Sequence, residues 1–345
     1  MLFSLGFFRQ NGMLRMRIAF CLLILLSAGT NCTAGFIYNS VGLSGGSRWN
    51  AAPHTVLGNE RSLAGGLRYS ASGGSYQAFR DSFSWSSLPT VAAFQQSVEN
   101  AFAAWTSTDS ASGLTAAFSF VSDFATPVAA GAFGSLNFNG AEIDLVASNA
   151  GNAALRAFTT FLSDGAPVTL TSGVQNYADS SAIAGVDIHL NNNPGALYDL
   201  DTFRRLLTHE IGHSIGLNDV DLNEPFIDDN YSAAAPAVTL SNSWAGLVNP
   251  LDPSNSAGLS LYTIPSSVFS SSGVDLLMES NGLGVGPGNP LSNLNPLTND
   301  EYGMRQFLYP TIVAVPEPCS TALLCVTGVL MAARSALKRR TRQTA

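Results

Sequence analysis

One short segment constrains this chain more than any other: residues 209–219, which read His-Glu-Ile-Gly-His-Ser-Ile-Gly-Leu-Asn-Asp. Residues four apart on an α-helix lie above one another, so His209 and His213 can bind the same metal ion. Glu210 stands beside them, where it can face a water bound to that metal and is the natural general base. The segment therefore predicts a helix that presents its histidine pair to a cleft.

The residues after this helix offer a third ligand. A helix that ends at Gly216 can reverse through a left-handed residue, which carries the chain back toward the imidazoles. Asp219 then reaches the third coordination position, and the fourth stays open for water, as in catalytic zinc sites. Asp221 is the competing third ligand. The sequence thus predicts one catalytic zinc on His209, His213 and Asp219.

The extended pattern, HExxHxxGxxD, resembles the metzincin zinc endopeptidases of the matrixin-like kind, with Asp219 where most members have a third His. Some small bacterial metzincins use Asp there, and a carboxylate is an ordinary zinc ligand. The resemblance implies a zinc metalloendopeptidase that hydrolyses peptide bonds through a zinc-bound water, with Glu210 as general base. It also implies an α+β fold: a twisted mixed sheet, a long helix A, a zinc-binding helix, a Met-turn and a closing C-terminal helix.

The N-terminal segment, residues 1–34, has the features of a secretory signal peptide. Two arginines precede an apolar run at residues 18–26, small residues follow, and cleavage after Ala34 fits the pattern. The run is short for a membrane-spanning helix. Met13 competes with Met1 as the true start, because the basic region begins there. We therefore expect the protein to be exported.

The C-terminal segment, residues 313–345, resembles a PEP-CTERM sorting signal. Pro316, Glu317 and Pro318 precede an apolar run at residues 319–333 and then a basic cluster. In that bacterial system a membrane exosortase is understood to recognise Pro-Glu-Pro, remove the tail and pass the protein to the cell surface or extracellular matrix. About 15 apolar residues are short for a permanent span, and the basic cluster favours a cytoplasmic C-terminus. A plain membrane anchor, with the tail retained, is the alternative.

The body between these segments, residues 35–312, is long enough for one large domain with loop insertions or for one domain plus a small companion, and we favour one domain. From residue 35 to residue 318 there are eight Arg, no Lys and 24 acidic residues, a net charge of −16 with neutral His. This charge disfavours nucleic acid and anionic membrane surfaces as partners, and leaves membrane contact to the targeting segments. All four Cys lie in those segments, so the body forms no disulfide. The expected partners are a protein or peptide substrate and an exosortase-type processing enzyme.

Hydrophobic patterns predict the order of elements in the body. Strands are predicted at residues 66–71, 116–121, 142–147 and 186–190, with a weaker candidate at 167–171 for the edge strand that binds a peptide. Helices are predicted at residues 89–105, from near Thr202 behind an Asp201 N-cap to Gly216, and within 297–309. Trp105 is expected in the core.

The segment after the zinc helix contains a candidate Met-turn. Residues 220–273 are rich in Ser, Asn and Pro and are interpreted as a loop insertion beside the cleft. Met278 follows in a segment that resembles the Met-turn, which passes beneath the zinc in metzincins. A Met after two Leu is more often core filler when it stands alone. Its position between the zinc helix and the closing helix favours the Met-turn. Ser280 stands where some metzincins carry an extra Tyr ligand.

Two further cation sites are weaker possibilities. Four aspartates offer oxygen ligands for calcium: Asp219, Asp221, Asp228 and Asp229. They lack EF-hand spacing, and a solvated acidic loop is the simpler interpretation. His189 lies where some matrixins bind a structural zinc, but His54 is the sole upstream imidazole in the sequence. The ligand count therefore favours a structural role for His189.

Two functions follow from these features. The first is a secreted or surface-associated, zinc-dependent endopeptidase. The alternative is a noncatalytic surface or extracellular-matrix protein that keeps a metalloprotease-like fold for scaffolding or binding, which the sorting tail and the low-charge loops permit. The intact Glu210 argues against this alternative.

Overall fold

A mixed sheet with helices packed against it forms the body in a computed structural model, which describes residues 40–41, 44–109, 112–178, 180–219, 248–255, 277–278, 297 and 299–312. The chain divides into two units, Met1–Thr311 and Ile312–Ala345, and the sheet and its helices belong to the first. Both targeting segments and most of the predicted insertion lie outside the described residues. In the ranges that are described, no helix is long and apolar enough to cross a bilayer.

Many of the strands in the described residues are only two residues long, and the longer strands belong to the main sheet. The helices are α1 (Tyr76–Asp81), α2 (Val91–Thr106), α3 (Leu200–Ser214) and α4 (Asn299–Leu308), with a 3₁₀ turn at Pro253–Asn255. The strands are β1 (Ser40–Val41), β2 (Ser44–Gly45), β3 (Ser47–Arg48), β4 (Thr55–Val56), β5 (Asn59–Glu60), β6 (Leu67–Ala71), β7 (Ser84–Trp85), β8 (Phe120–Ser122), β9 (Ile143–Ser148), β10 (Ala157–Ser163), β11 (Ser181–Asn191) and β12 (Leu197–Tyr198).

The main sheet has the strand order β10-β11-β9-β6-β8, with β3 paired to the start of β11. Strands β8, β6, β9 and β11 run parallel, and β10 runs antiparallel to β11. A parallel neighbour needs a crossover connection, which α2 supplies between β6 and β8. The mixed sheet that the sequence predicts is therefore confirmed, and it is mainly parallel.

Helix α2 follows its apolar pattern closely. Phe94, Val98, Phe102 and Trp105 are buried at spacings of four, four and three, which is the stripe of an amphipathic helix. The indole N–H of Trp105 donates to the carbonyl oxygen of Thr208 in α3, at 2.7 Å. Trp105 is thus a core residue, as expected, and it also joins α2 to α3.

The edge strand was predicted wrongly. In residues 167–171 only Val168 pairs, through an isolated bridge to Tyr177. The edge strand that contacts α3 is β10, which the prediction missed although it is rich in aromatic and β-branched residues that favour strands. Pro167 cannot donate a ladder hydrogen bond, and its neighbours pack in a small separate cluster.

Most other boundaries agree, and those of two strands differ. Elements β6, β9, α2 and α4 lie within one or two residues of the predicted ranges. Strand β8 covers only the end of residues 116–121. Strand β11 is longer than residues 186–190 because β3 and β10 pair with its first half as well.

The N-cap of α3 is Asp199, which corrects the prediction of Asp201. The Asp199 side chain accepts a hydrogen bond from the backbone N–H of Thr202, at 2.8 Å. Asp201 lies in the first helical turn instead, where its carboxylate is 3.2 Å from the guanidinium of Arg204. Both positions are favourable for an acidic residue near a helix N-terminus, so the sequence pattern alone did not separate them.

Two buried carboxyl groups lie side by side in the sheet. Asp144 of β9 and Asp187 of β11 are register partners, and each accepts one backbone hydrogen bond, from Ala141 at 3.0 Å and from Asn137 at 2.7 Å. Burial, together with the neighbouring Asp187, raises the pKa of Asp144 to about 7. Burial raises the pKa of Asp187 to about 6. Neither group is fully ionised at neutral pH.

We expect the contribution of Asp144 to the free energy of unfolding to fall as pH rises from about 4 to about 7, since the folded chain keeps a proton here that the unfolded chain has lost. This contribution is fully present below the unfolded pKa of 3.8 and is lost as pH rises through the raised folded pKa of Asp144. The slope is about 1.4 kcal/mol per pH unit for one proton. Urea unfolding across this range measures it, and Asp144→Asn is expected to flatten it. Asp81→Asn, at an exposed position, is the control; equal slopes in wild type and Asp144→Asn would contradict the expectation.

Candidate metal centre

The C-terminus of α3 turns the chain back on itself. Gly216 has φ +103°, in the left-handed region that glycine adopts without strain. Its N–H donates to the carbonyl of His213 at 2.9 Å, and the N–H of Leu217 donates to the carbonyl of Gly212 at 3.1 Å, the two bonds of a Schellman cap. A Cβ at Gly216 would also collide with the carbonyl oxygen of Ser47. The glycine is therefore required twice, by conformation and by space.

This reversal brings Asp219 to the two imidazoles. Its Oδ1 atom is 3.2 Å from Nε2 of His209 and 3.4 Å from Nε2 of His213. The three ligand atoms lie within 4.8 Å of one another, a cluster that the described part of the chain shows nowhere else. In a tetrahedral site with bonds of about 2.0–2.1 Å, neighbouring ligand atoms are about 3.3 Å apart. The spacing of the three atoms fits such a site.

Backbone carbonyl groups fix the orientation of both imidazoles. Nδ1 of His209 donates to the carbonyl oxygen of Leu277 at 2.6 Å, and Nδ1 of His213 donates to that of Leu217 at 3.0 Å. A neutral imidazole that carries its proton on Nδ1 has its lone pair on Nε2. The two Nε2 atoms that face Asp219 are therefore the ones able to bind a metal ion.

One carboxylate oxygen of Asp219 is unsatisfied among the described residues. Neither contact with the imidazoles has hydrogen-bond geometry, so Oδ1 is buried without a hydrogen-bond partner among the described residues. Such a buried oxygen costs about 1–3 kcal/mol, more when it is charged, unless something binds it. Two imidazole nitrogens and one carboxylate oxygen are an ordinary donor set for zinc. The residues present therefore fit a zinc ion.

In the absence of metal, the ligands perturb one another's pKa values. Burial lowers the pKa of His209, but the carboxylates of Asp219 and Glu210 outweigh it and raise this pKa to about 9. Burial raises the pKa of Asp219, yet His209 and His213 hold it well below its usual value. A proton thus competes for the same lone pair as a metal, and metal binding at this site is expected to release protons.

Glu210 lies on α3 directly after the first histidine and is buried. Its Oε2 atom accepts a hydrogen bond from the hydroxyl of Thr159 at 2.6 Å. Thr159 belongs to the edge strand β10, which the sequence prediction missed, and so it was not identified as a site residue. The apolar pattern of β10 gives no signal for it, because the apolar residues Phe158 and Leu162 are exposed while Thr159 is buried.

The candidate Met-turn lies under the ligand helix. Leu277 and Met278 form a fully buried turn whose backbone N–H groups both donate to Oε1 of Glu301, at 2.9 and 3.3 Å. The carbonyl oxygen of Leu277 is the acceptor for His209. Glu301 therefore helps to fix the orientation of that imidazole, because it holds the turn that carries this carbonyl group. Glu301 was not predicted as a site residue, because nothing local in the sequence distinguishes it from an exposed helical glutamate. That the turn has the function of a Met-turn stays a prediction.

Gly212 allows this turn to approach the helix. A Cβ at this position would collide with the sulfur of Met278 and would lie 2.7 Å from Cζ2 of Trp105, closer than real contacts allow. We therefore expect Gly212→Ala to lower the free energy of unfolding by about 1–3 kcal/mol, the usual range for overpacking. Denaturant unfolding measures it. Met278→Ala alone is expected to be destabilising because it leaves a cavity, but the double variant should lose less than the sum of the two single losses; strict additivity would contradict the packing argument.

The other predicted cation ligands are separated from this cluster or are not described. Both ring nitrogens of His189 have partners, the Ser148 hydroxyl at 2.9 Å and the Ser135 carbonyl at 2.5 Å, which agrees with a structural role. His54 contacts the carboxylate of Asp164 instead, at 2.7 Å. Several predicted residues lie outside the described ranges: Asp221, Asp228, Asp229, Pro316, Glu317 and Pro318.

Comparison with known proteins adds little to this geometry. No protein-family model matches the chain, and a search of curated proteins found no match. Among solved structures, a crystal structure of myroilysin matches with a TM-score of 0.25 and 12% sequence identity, over 82% of this chain and 96% of that chain. A likeness at this TM-score carries no argument for fold or function.

Proposed function

We propose that the protein is a zinc-dependent endopeptidase. The observation that carries the proposal is the convergence of Nε2 of His209, Nε2 of His213 and Oδ1 of Asp219 next to Glu210, with Oδ1 buried and lacking a hydrogen-bond partner among the described residues. Three protein ligands and one open position distinguish catalytic zinc sites from structural ones, which use four. A carboxylate beside such a site is the usual general base in peptide hydrolysis.

Different residues of the site would bind the metal, transfer protons and orient the ligands. His209, His213 and Asp219 would hold the zinc ion, which when bound polarises a carbonyl group and makes a coordinated water more acidic. Glu210 takes a proton from the attacking water and delivers it to the leaving amine. The carbonyl groups of Leu277 and Leu217 keep both imidazoles in the tautomer that the site needs.

The edge strand β10 supports a peptide as the substrate. It pairs with β11 on one side, and among the described residues no strand pairs with its other edge. An extended peptide can add to such an edge through backbone hydrogen bonds. Phe158 and Leu162 on this strand are 49% and 37% exposed and offer apolar contacts beside it. In the proposed enzyme, β10 therefore takes the role that the sequence prediction gave to residues 167–171.

The test combines metal analysis with an assay of hydrolysis. We expect the purified body, without its targeting segments, to contain one zinc ion per chain and to cleave an unstructured protein such as casein. A chelator should abolish the cleavage, and added zinc should restore it. A body that retains zinc but cleaves no unstructured protein would favour the noncatalytic scaffold, whereas a body without zinc would overturn both the metal site and the enzyme.

We also propose that the protein is exported and sorted at the surface by its two targeting segments. The proposal rests on the pattern of residues 1–34 and on Pro316, Glu317 and Pro318 before the apolar run. In the native host, the wild-type protein is expected to lose its tail and reach the surface fraction, and replacement of both prolines by alanine is expected to leave the tail attached in the membrane fraction. Identical processing of both proteins would contradict the sorting role and favour a different signal.

A further inference from the structure

The register of the sheet decides which side chain of β10 faces the ligand helix. Thr159 is the partner of Ile188, and Phe161 is the partner of Val186. Ile188 and Val186 belong to the core, so Thr159 and Phe161 share the core-facing side of the sheet. A slip by one residue would put either Phe158 or Thr160 at this place, and in the first case the hydroxyl would be lost. The position of the Thr159 hydroxyl is thus fixed by the long pairing between β10 and β11.

The hydroxyl of Thr159 is directed to the carboxylate of Glu210. The distance from Oγ1 to Oε2 is 2.6 Å, which is a short hydrogen bond from a hydroxyl to a carboxylate oxygen. The backbone carbonyl oxygen of Glu210 is a second acceptor at 3.3 Å, but a hydroxyl has one proton, and the shorter contact takes it. Thr159 is only 7% exposed, so water competes poorly for this bond.

We propose that Thr159 is a positioning residue for Glu210. Its hydroxyl holds Oε2, which leaves Oε1 as the oxygen that exchanges protons with the attacking water and the leaving amine. The proposal rests on the proposed endopeptidase function. A glutamate side chain has three rotatable torsions, and displacement of a catalytic group by about 1 Å can cost on the order of 10²-fold in rate. Because β10 is also the edge strand proposed to bind the peptide, one strand would both bind the substrate and orient the general base.

The kinetic test compares three substitutions in the zinc-loaded body. Thr159→Val keeps the shape and removes the hydroxyl, and we expect kcat to fall roughly 10- to 100-fold with KM unchanged. Thr159→Ser keeps the hydroxyl and should restore kcat close to the wild-type value. Thr126→Val is the matched control, because the Thr126 hydroxyl also donates to a carboxylate, that of Asp123 at 2.7 Å, away from β10 and the ligand cluster, and wild-type kcat is expected. Thr159→Ala replaces the valine variant if that variant does not fold.

A structural measurement decides the proposal independently of activity. In crystal structures of the zinc-loaded proteins, we expect Glu210 in one rotamer in the wild type and in several in Thr159→Val. A single Glu210 rotamer in both proteins would overturn the proposal whatever the rates, and so would an unchanged kcat in Thr159→Val. If the wild type cleaves nothing, the proposed function fails, while the rotamers of Glu210 still decide whether Thr159 positions it.

Discussion

Glu210→Ala is expected to abolish peptide hydrolysis while zinc stays bound and the fold stays intact. Glu210 follows the ligand His209 on α3, and the ligand cluster does not include it. Loss of a positioned general base typically lowers the rate by about 10²- to 10⁴-fold. Initial rates on an unstructured protein, measured together with the zinc content of the same samples, check both parts of this expectation.

Glu99→Ala is the matched control for this substitution. Glu99 is a partly exposed glutamate of α2 whose carboxylate accepts a hydrogen bond from Gln95, at 2.8 Å, so the change removes a carboxylate away from the ligand cluster. We expect wild-type rates and zinc content in that variant. Equal rates in Glu210→Ala and the wild type would remove Glu210 from the mechanism. Loss of zinc in Glu210→Ala would instead make it a ligand.

Asp219→Ala is expected to release zinc from the body. Asp219 supplies one of three ligand atoms, and its loss leaves two imidazoles, too few for a stable zinc site. Changes to groups that only support a ligand typically cost about 10- to 100-fold in metal affinity, so removal of the ligand itself should cost at least that much. Competition with a zinc-chelating dye measures the affinity, and hydrolysis should fall in parallel.

Asp221→Ala is the control that the sequence provides, because Asp221 is the competing third ligand and lies outside the described residues. We expect this variant to keep its zinc. The opposite order, with zinc lost in Asp221→Ala and kept in Asp219→Ala, would move the third ligand to Asp221. Calcium content measured in the same samples tests whether Asp219, Asp221, Asp228 and Asp229 bind that ion.

Short-range patterns in the sequence predicted several features well. The spacing of His209 and His213 requires a helix, and residues 200–214 form one. Gly216 signals a reversal, and the chain reverses there with φ +103°. The apolar spacing that ends at Trp105 predicts a helix with a buried stripe, which α2 has. In each case residues within about four positions of one another determine the geometry, because helix periodicity and caps are local.

Short-range patterns did not predict the groups that orient the site residues. Thr159 reaches Glu210 across 51 positions of the chain, and Leu277 reaches His209 across 68. Glu301 binds the turn at residues 277–278 from 24 positions away. No local period connects such pairs, and their side chains look like ordinary strand, loop or helix residues in isolation.

The sequence by itself therefore determined the candidate ligands, the candidate base and the order of the main elements, because each depends on spacing within a single helix or turn. Only the tertiary structure decided that β10 is the edge strand, that Asp199 caps α3, and which groups orient His209 and Glu210. These features depend on strand register and on helix packing. Both are set by burial of side chains that are distant in sequence, so contacts across the whole body had to form before the surroundings of the site were fixed.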